Sequence, residues 1–345
     1  MARPTRRAKV LGATAAVVAA AGTVAVSRRR RPPDELADDL AIKDLTLLGH
    51  GGTALHVRRF RTADGAPPVA RVLFAHGWCM STAFWESAAR RLAHLGIEAV
   101  TWDQRGHGRS EVPVDLAQCS IDALGRDLEA VLLATAAPRV PTMLVGHSMG
   151  GMSIVSWASV TAATPNPDRP DVVGTVLWNT AFHAFTTDAL AAIVRTHNPR
   201  VHRLATLALY AAIPIPRTAA ALPVVRALAH GPGARREDVT LTHRLVTDIS
   251  PRVRVQFSSA FESLDLREAV AQLDVPTVVV TGSRDLLTPP QHGQKLAEAL
   301  PDARLLSLPG AGHQAPLDHP DVVVDLVLEG LRPHVDVATN LGAVA

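Results

Sequence analysis

Short, nearly continuous runs of β-branched and other apolar residues alternate along this chain with longer stretches whose apolar positions recur at helical spacing. That alternation is the signature of an α/β sheet, strands interleaved with covering helices. The runs occupy residues 42–48, 53–60, 69–75, 97–102, 140–145, 172–178, 275–281 and 303–308. The first two flank Gly49-His50-Gly51-Gly52 and predict an opening antiparallel hairpin. The later ones are apolar almost throughout, as expected of strands covered on both faces. Helical patterns fall at 83–95, 121–136, 149–162, 291–300 and 322–331, and no internal repeat is visible.

One interval breaks the rhythm. Residues 182–264 hold no convincing strand, only helix-like segments punctuated by Pro199, Pro214, Pro216, Pro223 and Gly231-Pro232-Gly233. Structureless insertions of that size are uncommon, so the interval reads as a helical cap on the sheet. The body then divides into a first core part at 42–181, the cap at 182–264, a second core part at 265–332 and a loose tail at 333–345.

Charge changes the picture only at the start. The chain has 345 residues, 47% hydrophobic and 19% charged, a globular rather than disordered balance. Its formal net charge of +3 conceals an asymmetry: eight of the 35 lysines and arginines fall in the first 31 residues, leaving 27 against 32 acids. A basic arm on a mildly acidic body argues against a nucleic-acid-binding domain. Within the arm, residues 10–26 are seventeen uncharged residues, about 25 Å as a helix against about 30 Å of hydrocarbon. Residues 1–31 therefore read as a membrane-contacting anchor, a cleaved export signal or a start-site error. Arg28 to Arg31 oppose simple translocation, and the side of the membrane stays open. An acidic linker at 32–41 leads into the body, with folding expected to begin near Ile42. Two cysteines, Cys79 and Cys119, are too few for a disulfide framework and lack metal spacing.

The sharpest chemical motif is Gly146-His147-Ser148-Met149-Gly150. A G-x-S-x-G after an apolar run and before a helical pattern is what a nucleophile elbow requires: a tight turn that exposes the serine, with Gly146 and Gly150 letting the chain pass. A serine hydroxyl needs an imidazole to take its proton. His313, in a loop after the last strand, is placed to reach Ser148; His147 points elsewhere from the sharp turn, and His319 adjoins Pro320 at a helix start. Asp285, in Gly282-Ser283-Arg284-Asp285 after the preceding strand, is the acid that would orient the base. A helix cap or Asx turn is its plainer reading. Asp188 is the competing acid, and Asn179 at the end of the 172–178 run is uncharged. The Met149 N–H opens the helix after the serine, and Trp78 in His76-Gly77-Trp78 offers a second N–H for an oxyanion hole. Asp103 to Ser110, Asp-Gln-Arg-Gly-His-Gly-Arg-Ser, matches no phosphate-loop pattern and reads as a loop packed under the site. The histidines show no metal-ligand spacing, so no metal is expected.

Together these segments resemble the α/β-hydrolase superfamily. The landmarks are His76-Gly77-Trp78, Asp103 to Ser110, Gly146 to Gly151, Gly282 to Asp285 and Gly312-His313, in that order over residues 42–331. The resemblance implies an eight-stranded, mostly parallel sheet flanked by helices, a helical cap and no cofactor. It is strongest to bacterial esterase and lipase-like members. Ser148, rather than an aspartate, excludes epoxide-hydrolase and dehalogenase chemistry. The expected activity is carboxylic ester hydrolysis through Ser148, Asp285 and His313 on a small-molecule ester with an apolar acyl group. Thioester, lactone, amide or carbon–carbon bond cleavage, perhydrolysis and a non-catalytic ligand-binding role are the alternatives. Cap residues such as Phe182, Phe185, Leu190, Leu204, Val224 and Leu228 either line an apolar cleft above Ser148 or simply pack on one another.

Overall fold

A computed structural model describes residues 40–137, 139–189 and 214–335. The arm at 1–31, most of the linker, the part of the expected cap at 190–213 and the tail beyond residue 335 lie outside the described residues. No helix among the described residues is long and apolar enough to cross a membrane.

The eight runs form one eight-stranded sheet: β1 Leu40–Leu48, β2 Ala54–Thr62, β3 Ala70–Ala75, β4 Ile97–Trp102, β5 Thr142–His147, β6 Val172–Trp178, β7 Thr277–Gly282 and β8 Ala303–Leu308. Their order is β1-β2-β4-β3-β5-β6-β7-β8, with β1 and β2 antiparallel and every pairing from β4 to β8 parallel. The opening hairpin turns on Gly51 and Gly52, both at positive φ. Strand β1 begins two residues before Ile42, inside the expected linker, because Leu40 and Ala41 extend the ladder opposite Thr62 and Arg61.

Strands β3 to β6 are buried nearly end to end, which is why their sequences read as unbroken apolar runs. Their side chains divide by parity. Val72 and Phe74 of β3 enter one face of the core with Trp85, Trp178 and Val280; Leu73 and Ala75 enter the other with Trp102, Leu144 and Leu177. Helices α1 Glu86–His94, α2 Ile121–Ala134 and α3 Met149–Ala163 follow β3, β4 and β5. The pattern at 83–95 covers two elements, a 3₁₀ turn at Thr82–Trp85 and then α1.

After β6 the chain leaves the sheet. Within 182–264 the described helices include α4 Leu222–Ala229, α5 Arg236–Asp248 and α6 Pro251–Glu262, with Pro223 and Pro251 in first turns, where a missing N–H costs nothing. The excursion's two ends are stitched together by an isolated bridge between His183 and Asp265 and by the Leu266 N–H on the Phe182 carbonyl at 2.7 Å. The chain continues through α7 Arg267–Val270, β7, α8 Pro290–Ala299, β8, α9 Ala315–Asp318 and α10 Pro320–Leu331.

Because β4 and β5 lie on opposite sides of β3, the connections leaving β3 and β5 diverge and open a crevice at the carboxyl edge of the sheet. Residues 76–80 and the turn at Ser148 border it.

Candidate active site

Ser148 joins β5 to α3 at φ 52° and ψ −118°, a sparsely populated backbone region for a non-glycine residue. The turn is held from both sides. Ser148 N donates to the Trp178 carbonyl at 2.9 Å, and Ser148 O accepts from Gly151 N at 2.8 Å and Thr180 Oγ1 at 2.7 Å. Small residues are obligatory around it: a Cβ on Gly150 would stand 2.1 Å from the Ala75 oxygen, and one on Gly146 would stand 2.6 Å from the Gly150 oxygen. Gly77 is equally constrained, since its Cβ would meet His147 Nδ1 at 2.6 Å and Ser148 Cβ at 3.3 Å. Removing these methyl groups lets the residue 76–80 loop lie against the turn.

His313 and Asp285 meet as the sequence suggests: His313 Nδ1 lies 2.9 Å from Asp285 Oδ2, both residues buried. Asp285 also accepts from Leu287 N at 2.8 Å, Thr288 N at 2.9 Å and Asn179 Nδ2 at 2.8 Å, a donor set suited to a carboxylate. A carboxylate at Nδ1 keeps a proton there and leaves Nε2 as the basic nitrogen. Ser148 and His313 line one cavity. Asp188 instead lies 3.1 Å from His292 Nε2 and is half exposed, so it does not partner His313. His319 caps α10, and His147 Nε2 is engaged with the His313 carbonyl at 2.9 Å. Burial and the neighbouring His313 hold the His147 imidazole far below its ordinary range, so it stays neutral and donates to that carbonyl.

The Met149 N–H lies in the first turn of α3, where no intrahelical acceptor exists. Trp78 lines the same cavity, its ring edge-on to Phe261 of α6 at 5.6 Å. His76 fastens the Trp78 loop from below: Nδ1 donates to the Gly77 carbonyl at 2.7 Å, and Nε2 accepts from Gln104 N at 3.0 Å. Asp103 anchors the segment that follows, accepting from Thr82 N at 2.6 Å, Arg109 N at 2.9 Å and His56 Nδ1 at 2.7 Å. Burial opposes its ionisation, but the His56 bond, the nearby His76 and these backbone N–H groups together hold its carboxyl below the usual range. Residues 103–110 therefore pack beneath the site as its support.

Asn179 is the feature that sequence reasoning passed over. At φ 45°, just past β6, its side-chain amide lies 2.8 Å from Asp285 Oδ2, 2.9 Å from the Gly312 oxygen and 3.2 Å from the His313 oxygen; its own oxygen accepts from Gly282 N at 3.2 Å. One amide thus ties together the ends of three strands. Its place after a strand at the carboxyl edge was the available signal. Thr288 is a second omission, with Oγ1 within 2.8 Å of Asp285 Oδ2.

The cavity above Ser148 measures about 220 Å³ and is walled chiefly by apolar side chains, among them Phe185, Ile215, Val224, Leu228 and Phe261. Arg254, buried at 1% exposure, is a charged member of that wall, beside Cys79. Both cysteines are free and buried, and burial raises their thiols, Cys119 to about 11. No cluster of three metal-ligating side chains is found among the described residues.

The family profile described as "Serine aminopeptidase, S33" matches residues 66–320. The chain is 31% identical over 267 residues to "Putative carbamate hydrolase RutD" of Variovorax paradoxus, covering 75% of this chain and 89% of that protein. It is 26% identical over 269 residues to the pimeloyl-(acyl-carrier protein) methyl ester esterase of Chromobacterium violaceum, covering 76% and 94% respectively. The esterase EaEST of Exiguobacterium antarcticum superposes with a TM-score of 0.64 at 18% identity, over 84% of this chain and 100% of its own, a likeness of fold.

Proposed function

Since the chain belongs to the serine aminopeptidase, S33 family of α/β hydrolases and is a hydrolase of the serine type, we propose that it cleaves carboxylic esters with apolar acyl groups through an acyl-enzyme. The observation that carries this reading is the 2.9 Å contact of His313 with Asp285 beside the strained turn at Ser148, under an apolar cavity. His313 Nε2 takes the Ser148 proton as Oγ adds to the ester carbonyl carbon. The N–H groups of Met149 and Trp78 receive the resulting oxyanion. Collapse breaks the bond to the alkoxy oxygen, His313 returns its proton to the leaving alcohol, and the acyl group stays on Ser148. Water, deprotonated by His313, then releases the acid and restores the serine. Treating the protein with a fluorophosphonate and mapping the adduct tests the assignment: Ser148 alone is expected to carry it.

The acyl group is set by the wall. Each buried methylene contributes about 0.8 kcal/mol, and about 1.4 kcal/mol is tenfold, so four more methylenes raise kcat/KM by roughly two orders of magnitude from acetyl to hexanoyl. Measuring p-nitrophenyl acetate, hexanoate and octanoate decides this. A steady fall beyond acetyl would exclude a lipophilic substrate and leave the nucleophile assignment standing.

Asp285→Asn is expected to lower kcat about ten-thousand-fold. An amide at this place can present its own N–H groups to His313 Nδ1, which reverses the tautomer, and it sets one NH₂ against that of Asn179. Unchanged turnover in this variant, with loss in Asp188→Asn, would move the acid to the other loop.

A further inference from the structure

Two segments far apart in sequence cross beside the candidate base. A Cβ on Gly312 would stand 2.5 Å from the His230 carbonyl carbon, and one on Gly231 would stand 2.5 Å from the Gly310 oxygen. The Gln314 N–H donates to the Ala229 carbonyl at 2.7 Å. Backbones this close on both sides of His313 leave its loop little room to shift without the inserted segment.

A buried chain of hydrogen bonds fastens the crossing. His230 Nδ1 lies 2.8 Å from Asp318 Oδ1, and its Nε2 lies 3.0 Å from Thr242 Oγ1. The His230 and Asp318 side chains are 0% and 3% exposed, and Thr242 is buried as well. Asp318 ends α9, in the stretch that directly follows His313; Thr242 belongs to α5 and faces the substrate cavity. With the carboxylate at Nδ1, that nitrogen donates and Nε2 accepts from the threonine hydroxyl. A group removed from water and bonded at both ring nitrogens is held in one orientation, and no step of the acyl transfer uses it.

We propose that His230 is a positioning residue: through Asp318 and Thr242 it clamps the His313 loop to the inserted segment, so that the base holds its working place only while the cavity wall is seated. This rests on the assignment of Ser148 and His313 above. Binding a substrate against the wall and aligning the base then become one event, since the same clamp bears on both.

The test uses the full chain and two readings: the second-order rate constant for fluorophosphonate labelling of Ser148, and kcat and KM for acetyl and octanoyl p-nitrophenyl esters. Misfolding lowers the amount of label but leaves the rate constant of the folded molecules unchanged, so the two roles separate. His230→Phe is expected to lower the labelling constant and kcat for both esters about 100-fold, with KM moved by no more than about threefold. Thr242→Val, which removes only the Nε2 bond, should cost about tenfold, and His230→Asn, which keeps a donor toward Asp318, should fall between them. A labelling constant within about twofold of wild type in folded Thr242→Val and His230→Asn overturns the proposal, whether or not His230→Phe folds. So does a loss confined to the octanoyl ester, which would make the clamp a matter of cavity shape. Wild-type protein that takes no label at Ser148 overturns the nucleophile assignment itself, and this proposal with it.

Discussion

Ser148→Ala is expected to reduce kcat by about a million-fold while the protein remains folded. Members of a nucleophile–base–acid unit act together, so losing the attacking oxygen forfeits nearly everything the unit contributes. What remains is the contribution of binding and of the oxyanion donors, about a thousandfold or more over water. The fold should not notice. The turn is held through the Ser148 backbone, from Ser148 N to Trp178 O and into Ser148 O from Gly151 N and Thr180 Oγ1, and none of these bonds involves the Ser148 hydroxyl. Steady-state kinetics with p-nitrophenyl hexanoate, beside circular dichroism and a thermal melt, reads both halves. Turnover within tenfold of wild type in a folded variant would show that another group attacks.

His313→Ala should be almost as damaging, on the order of a million-fold, because the hydroxyl then has no acceptor for its proton and the leaving alkoxide has no donor. The neighbouring histidines cannot substitute. Burial makes the His147 imidazole a poor proton acceptor, and its Nε2 is committed to the His313 carbonyl, a backbone contact that survives the substitution. Asp285, deprived of the imidazole, still accepts from Asn179, Leu287 N and Thr288 N, so the buried carboxylate is not stranded and the loop should keep its shape. Labelling of Ser148 should slow in step with turnover. Labelling at the wild-type rate would mean that the serine is activated by some other base.

Both residues were legible in the sequence, and the reason is local. The runs that became β3 to β7 are buried almost throughout, so each showed as a nearly unbroken apolar stretch. β8, with Arg304 and Ser307 exposed, showed as a run of the same length, and residues just past any of these parallel strands lie at the sheet's carboxyl edge. Ser148, Asp285 and His313 all do. Helix boundaries were less clear where two elements share one apolar pattern, as at Trp85, where a 3₁₀ turn passes into α1 without a break in polarity. Asn179 escaped for a different reason. It is 106 residues from Asp285 and 134 from His313, and an uncharged amide gives no hint of the carboxylate it serves until the strands are ordered in space. The same holds for Arg254 and for His230: one stands in a cavity wall and the other on a loop crossing, and neither wall nor crossing exists in one dimension.

The stitching of residue 183 to residue 265 bears on how such a chain can change over time. Joining the ends of an excursion fixes its entropic cost mainly through the closure, and doubling its length adds only about 0.6 kcal/mol. The sheet therefore sees a closed loop whose content is nearly free to vary, a socket into which walls of other shape could be fitted without refolding the strands. What limits the exchange is the second point of attachment. Any replacement must still present a backbone that passes Gly312 and a partner for Asp318, so the cavity-lining part of the molecule is replaceable as a unit but only by segments that carry the same fastening.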